Sequence, residues 1–322
     1  LHPPALQQEI EHAESVLNCT LPPVWIHRNA LVLLPQHARL NLLRERLRGS
    51  DQHGTTGWGI GEARNIEISQ PDNCLRALHF IPDYEQTLVG VVKKSLASVA
   101  AQANTLLQTT QDATILEEFS SLDVQSDDLH QEAQTIAQQY RDVMNQHYIH
   151  HNAIPYTLEQ HTNIIMEGGQ GIMLDETIGT APHNTWTDTT FRNAASLLAP
   201  HLNKYSTTIQ PVYASRTYLT RHGAGPLPTE SEELRSEMLA AERNPTSPIT
   251  GPMRFGPLHH PYTAYAIQHT HHQWGNAALP PKVFLNCMDQ FALNPRSFER
   301  TYDVQVGWLG WGETASDKIT CR

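Results

Sequence analysis

Cysteine is scarce in this chain. Its four residues, Cys19, Cys74, Cys287 and Cys321, stand far apart and form no CxxC pair. That spacing excludes a disulfide-stapled scaffold and a cysteine zinc knuckle, and it suits a reducing compartment such as the cytoplasm. Basic residues are outnumbered, with 22 Lys and Arg against 33 Asp and Glu, for a formal net charge of −11. A surface that grips DNA or RNA needs clustered cations, so nucleic acid is excluded as a general partner, whereas a single nucleotide in a local pocket is not. No apolar run is long enough to span a bilayer and the first residues do not read as a secretory signal, so no membrane partner is expected. The opening Leu1-His-Pro-Pro-Ala reads instead as the start of a helix, as in a fragment or a processed chain.

Histidine is abundant, at 19 residues. The pairs His150-His151 and His259-His260 and the group His269-Thr-His271-His272 lack the HExxH spacing and accompanying carboxylates of a zinc site, and they read as surface or helix-capping residues. Hydrophobic residues make up 39% of the chain and charged residues 17%, enough apolar content for a packed core.

Periodicity predicts a helix over residues 4–18, short buried strands at 24–26 and 31–34, and a basic helix over 37–48 that stops at Gly49. Residues 84–148 form the longest helical region, with Leu88, Val91, Val92, Leu96, Val99 and Ala100 on one face and a second helix from about Asp128 to His147. Further strands are predicted at 164–166, 207–219, 283–285 and 304–306, and further helices at 230–242 and 262–274. Strands alternating with helices predict an α/β fold with a largely parallel sheet, and no linker cuts the 322 residues into separate domains.

Four segments carry candidate chemistry. His53-Gly-Thr-Thr-Gly-Trp-Gly-Ile-Gly61 is either a tight strand-to-helix connection or a cradle whose backbone N–H groups and hydroxyls hold an anion. The run from Glu167 to Thr190 joins the Gly168-Gly169 turn to a hydroxyl-rich loop. Either the run is a polar loop with no ligand, or it binds one: Gln170 carries a donor and an acceptor suited to a purine edge, Thr185, Thr189 and Thr190 can donate to phosphate, and Asp175 is placed to hold the loop. Thr220–Glu230 is a rigid Gly/Pro turn in which Thr229 with Glu230 can cap the next helix. Thr246–Gly256 reads as an exposed loop with one arginine, Arg254, whose fork suits a carboxylate or is simply solvated.

In this order the segments resemble the adenylosuccinate synthetases. The resemblance is carried by Glu167-Gly-Gly-Gln-Gly-Ile-Met-Leu-Asp175, Arg221-His-Gly-Ala-Gly-Pro-Leu-Pro-Thr-Glu230 and Gly54-Thr-Thr-Gly-Trp-Gly-Ile-Gly61, and it runs from Leu1 to nearly Arg322. It implies a central, mostly parallel sheet flanked by helices, related to P-loop NTPases, in a homodimer. It also implies ligation of L-aspartate to the 6-position of IMP with GTP and Mg²⁺. By the same resemblance Thr55, Thr56, Gln170 and Thr185 hold the purine monophosphate. Thr250 and Arg254 lie on the loop that closes over aspartate, and Asp289, with Gly310 and Gly312, reads the base of the triphosphate. No residue is assigned to metal.

The chain departs from the family at several places. Cys287 stands where the base-reading motif has lysine, Trp58 follows the Gly-Thr-Thr-Gly turn in place of arginine, and Pro252, Met253 and Phe255 flank Arg254 where arginines are usual. Arg64 and Arg76 are both candidates for the arginine that crosses the dimer. The family's Asp-Glu-Gly-Lys-Gly-Lys loop and Gly-His-Thr histidine, and with them the catalytic residues, are expected upstream of Leu1. Two alternatives follow: a ligase acting on dGMP in the 2-aminoadenine pathway with ATP, and a catalytically inactive nucleotide-binding remnant.

Overall fold

The computed structural model describes residues 1–321 apart from 23, 123–125, 151–152, 206–207, 240–241, 243–245, 248 and 276–277. Backbone contacts divide the chain into two compact units, Leu1–His161 and Thr162–Arg322. No shift in composition marks that boundary. His151 and Thr207, and the end of the predicted 230–242 helix at 240–241, lie outside the described residues.

The first unit is mainly helical. Helix α1 (Pro3–Leu17) opens on proline, and the His2 ring accepts the Ala5 N–H at 3.2 Å, so a histidine caps it. Strand β1 (Trp25–His27) follows, then α2 (Pro35–Arg48), which again opens on proline and stops at Gly49, where φ is 59°. Next come α3 (Ile60–Ser69), α4 (Glu85–Leu107), α5 (Ala113–Glu118) and α6 (Ser126–Met144). Strand β2 (Tyr148–His150) pairs in parallel with β1, Trp25 opposite Tyr148, and α7 (Ala153–Gln160) ends the unit. The predicted stripe on α4 is buried at Leu88, Val92, Leu96, Val99 and Ala100. Leu88, Val92 and Leu96 face Ala133, Ile136, Tyr140 and Met144 of α6, and Val99 packs with Leu40, Leu43, Ile66 and Phe119. Each large apolar side chain so buried contributes about 1.5–3 kcal/mol.

The strand expected at 31–34 does not form. The segment is extended and buried, but it makes only one bridge, Leu31 with Arg76. The Val32 N–H goes to Leu75 and the Leu33 N–H to Leu1, so the hydrogen bonds divide between two partners and no ladder develops. The Tyr140 hydroxyl donates to the Leu33 carbonyl at 2.9 Å, tying α6 to this segment.

The second unit is the α/β part. It contains α8 (Phe191–Leu198), β3 (Val212–Arg216), β4 (Tyr218–Arg221), α9 (Glu232–Met238), β5 (Thr246–Ser247), β6 (Gly251–Pro252) and β7 (Arg254–Pro257). These are followed by α10 (His260–Thr270), β8 (Lys282–Asn286), α11 (Pro295–Tyr302), β9 (Gln305–Gly310) and β10 (Lys318–Thr320). One sheet has the order β10-β9-β8-β3; β3, β8 and β9 are parallel, and β10 is an antiparallel edge. Val283 and Leu285 alternate inward along β8 and pack with Tyr213, Ile267 of α10, Phe298 of α11 and Val306. Antiparallel pairs β4–β7 and β5–β6 lie outside that sheet. The mostly parallel sheet flanked by helices agrees with the α/β expectation.

Three local expectations fail in this unit. Ile164-Ile165-Met166 is not a buried strand; all three side chains are exposed, Ile165 at 91%, and no described strand pairs with them. The 246–256 segment is not simply an exposed loop, because Met253 and Phe255 are buried and Arg254 begins β7. Helix α9 is capped by Ser231, whose hydroxyl accepts the Leu234 N–H at 3.1 Å, rather than by Thr229 or Glu230. Both of those side chains are held elsewhere: Thr229 donates to the Pro257 carbonyl, and Glu230 pairs with Arg254.

His37 gives the first unit a pH dependence. It is 2% exposed, its Nδ1 accepts the Leu34 N–H at 2.9 Å, and its Nε2 lies 3.4 Å from the Ser95 hydroxyl. Burial pushes its pKa down to about 4. The unfolded chain takes up this proton near pH 6.5 and the folded chain does not until about pH 4, so stability falls with pH through that window. His37→Gln is expected to remove a drop on the order of 3 kcal/mol between pH 7 and pH 4, read by urea unfolding at each pH. An unchanged pH profile would contradict the assignment.

Candidate functional site

Thr55 and Thr56 lie in the first unit, on the turn before α3. Thr55 is already engaged: its hydroxyl donates to Asn41 at 2.6 Å and accepts the Gly57 N–H at 3.0 Å. The Gly54 N–H is taken by the Glu45 carboxylate at 3.0 Å. Thr56 is exposed. Gly59 pins the turn onto the start of α2, since at φ 71° an added Cβ would lie 2.3 Å from the His37 carbonyl carbon. The turn is a tight connection, but from helix α2 to helix α3 and not from a strand; the Gly54 N–H and the Thr55 hydroxyl are used within the protein, and Thr56 is exposed.

Gln170 and Thr185 lie in the second unit, and the loop that holds them is organised by Asp175. Asp175 is completely buried. Its carboxylate accepts the N–H groups of Thr177 at 2.9 Å, Ile178 at 3.1 Å and Thr189 at 2.9 Å, and Arg192 reaches it at 3.3 Å. Burial works to raise its pKa, but these N–H groups and the Arg192 cation outweigh burial and hold it below the ordinary carboxylate value. The Asp175 carbonyl also accepts from Gly179 at 2.9 Å and from the Asn184 amide at 3.4 Å. The expectation that Asp175 holds the loop is met.

This folding back gathers hydroxyls beside Gln170. Thr187 lies 3.5 Å from the Gln170 amide oxygen and 3.5 Å from the Thr185 hydroxyl, so one residue links the two predicted site residues. A Cβ at Gly168, Gly169 or Gly171 would meet nothing within 4 Å, so packing does not require those glycines. The other two threonines serve the loop itself. Thr189 donates to the Gly171 carbonyl at 3.0 Å, and Thr190 donates to Asp188 at 2.7 Å while capping α8. Thr187 and Arg192 were not picked out from sequence. One signal was present: Asp188 stands four residues before Arg192, its ion-pair partner at 2.8 Å.

Arg254 lies on β7, directly opposite Arg221 of β4. Its Nε and Nη2 meet both oxygens of Glu230 at 2.7 and 2.5 Å, and its Nη1 donates to the carbonyls of Gly223 at 2.9 Å and Gly225 at 2.8 Å. Hydrogen bonding to Arg254 holds Glu230 below the usual carboxylate pKa. Arg221 donates to the carbonyls of Ala224 at 2.9 Å and His183 at 2.8 Å. Its guanidinium fills the space at Gly225, where a Cβ would lie 2.3 Å from Nη2. Thr250 sits on the turn between β5 and β6, half-buried.

Asp289, Gly310 and Gly312 gather at the carboxyl ends of the parallel strands β8 and β9, the place where open α/β sheets take ligands. The Met288 N–H donates to the Gly310 carbonyl at 3.0 Å, and Asp289 is exposed beside it. Cys287 adopts φ 62°, with its carbonyl accepting the buried Thr217 hydroxyl at 2.9 Å. Lys318 of β10 donates to the Gly312 carbonyl and so brings an ammonium to this corner. Arg64 and Arg76 both pair with Glu67 in the first unit.

A family model described as adenylosuccinate synthetase matches residues 1–274. The chain belongs to the adenylosuccinate synthetase family. Adenylosuccinate synthetases of Coxiella burnetii (strain RSA 493) and Marinobacter nauticus are each 30% identical to it, over 266 and 256 residues. These alignments take in 80% and 79% of this chain but 54% of each relative, so the chain spans about half the length of the curated relatives it matches. In fold it is similar to a fully ligated adenylosuccinate synthetase from Plasmodium falciparum, with a TM-score of 0.65 and 17% identity over 100% of this chain and 82% of that one. A second similar structure is succinoaminodeoxyadenylate synthetase of cyanophage S-2L, bound to dGMP and dATP as an energy donor. Its TM-score is 0.59, at 18% identity over 99% of this chain and 73% of that one. The span matched by the adenylosuccinate synthetase model holds Thr55, Thr56, Gln170, Thr185, Thr250 and Arg254 and ends before Asp289, Gly310 and Gly312.

Asp175→Asn leaves at least one of the converging N–H groups without its charged acceptor. The expected cost is about 1.5–3 kcal/mol at pH 7, measured by urea unfolding. Because the folded pKa lies below the unfolded value, the wild-type advantage is present above about pH 4 and is lost as pH falls through the folded pKa. Equal stability of the two proteins at pH 7 would contradict the role given to Asp175.

Proposed function

We propose that this protein acts in purine nucleotide biosynthesis as a ligase, joining L-aspartate to the 6-position of IMP at the expense of a nucleoside triphosphate. The observation that carries the proposal is the Gln170–Thr187–Thr185 group, fixed by buried Asp175 within the segment matched to the family. The chemistry explains why such a group is useful. The 6-oxo group of a purine is a poor leaving group, and transfer of a phosphoryl group to that oxygen makes a good one. The aspartate amine then attacks C6 and phosphate departs. The protein's part is positioning and charge stabilisation. In this reading Gln170 meets the purine edge, Thr185 meets the monophosphate, and Thr250 and Arg254 receive aspartate; Thr55 and Thr56, on the first unit, are carried as monophosphate candidates by the family resemblance alone. Asp289 with Gly310 and Gly312 receives the base of the triphosphate, GTP or ATP. The protein would work in the cytoplasm as a homodimer, with Arg64 or Arg76 reaching the partner.

Mg²⁺ is implied by the family. Among the described residues no group of three or more His, Cys, Asp or Glu side chains converges as a metal site. These residues therefore do not fit a self-contained Mg²⁺ site, and no step is routed through the ion.

A second reading, ligation of aspartate to dGMP with ATP, is favoured by Cys287, which removes the lysine of the base-reading motif. One protein of similar fold is bound to dGMP and dATP. Titration of the wild type and Gln170→Ala with IMP and with dGMP separates the readings. The expected result is tighter binding of IMP and about tenfold weaker binding by the variant, the effect of roughly 1.4 kcal/mol. Preference for dGMP would replace the first reading with the second, and failure to bind either nucleotide would overturn both.

A further inference from the structure

Arg254 is held in two different ways by two different parts of its guanidinium. Nη1 gives both hydrogens to backbone carbonyls, of Gly223 and Gly225. Nε and Nη2 form the edge that takes a carboxylate in a fork-to-fork pair, and Glu230 occupies it. If the Glu230 side chain swings away, the two carbonyls still fix the guanidinium and the vacated edge faces out in the same place.

The surroundings make such a swing cheap. The Glu230 side chain is 43% exposed, so its carboxylate can be rehydrated on leaving. Its backbone is anchored on both sides: the Glu230 N–H donates to Leu227 at 2.9 Å, and the Ser231 N–H donates to Phe255 at 2.9 Å. Only the side chain needs to turn. The charge also matters. Arg221 and Arg254 stand opposite one another on adjacent strands, and the contacts of Arg221 are to carbonyls, not to a carboxylate. Two cations with one anion leave this spot net positive. A ligand with two carboxylates can take the place of Glu230 and meet the remaining charge as well.

We infer that Glu230 is a stand-in carboxylate, which fills the binding edge of Arg254 in the unliganded protein and is displaced by a dicarboxylate amino acid. This rests on the reading of Arg254 as the partner of aspartate, and it adds that Glu230 weakens aspartate binding by competing for the same edge.

The test is equilibrium binding of radiolabelled L-aspartate with saturating IMP, to the wild type, E230Q, E230D and R254Q, with IMP affinity measured in parallel. E230Q is expected to bind aspartate about two- to fivefold more tightly, the factor an exposed ion pair is worth. E230D, which keeps the charge on a shorter arm, should fall between E230Q and wild type, and it decides the matter alone if E230Q does not fold. Neither change should move IMP affinity. Aspartate binding by both Glu230 variants that equals or falls below wild type overturns the inference, while loss of binding in R254Q leaves the reading of Arg254 intact. Unchanged aspartate binding in R254Q, or none in wild type, overturns that reading and the inference with it.

Discussion

Asp175 is a carboxylate with no exposed surface, and it stays ionised because three backbone N–H groups and Arg192 converge on it. Those donors come from positions 177, 178, 189 and 192, so satisfying one charge closes the whole polar loop on itself. The hydroxyls of Thr185 and Thr187 and the amide of Gln170 take their places as a consequence of that closure. Thr189 and Thr190 are used up in making it. The same demand explains why so irregular a segment keeps a defined shape without strand or long helix to support it.

Glu230 is chemically similar and physically different. It too is ionised and paired with an arginine, but it is exposed, and its partner is anchored independently by two carbonyls. A buried carboxylate surrounded by donors is costly to disturb, whereas an exposed one in an ion pair exchanges with solvent at little cost. The first suits a scaffold and the second suits a place where one carboxylate gives way to another. Exposure, more than residue type, separates the two roles.

Much of this was legible in the sequence. Amphipathic spacing in α4 places its buried face correctly because a helix repeats every 3.6 residues and Leu88, Val92, Leu96 and Val99 obey that repeat. Asp175 could be read as the holder of its loop from its place five residues past Gln170, at the head of the polar run. Ile164-Ile165-Met166 was misread because β-branched apolar residues specify a preference for strand but do not supply a partner strand. Leu31–Leu34 failed for the related reason that its donors reach two different partners. Pairings such as Arg254 with Glu230 join residues 24 apart through a turn, and no local period encodes them. For the site, the family's ordered motifs supplied the candidate residues, where spacing alone left each segment open to an architectural reading.

A crystal structure of the protein with IMP tests the role of the Asp175 loop most directly. The expected result is a purine edge within hydrogen-bonding distance of the Gln170 amide and the monophosphate beside Thr185, with Asp175 and its donors in place. IMP bound away from Gln170 and Thr185, or an Asp175 stripped of its backbone donors, would contradict it.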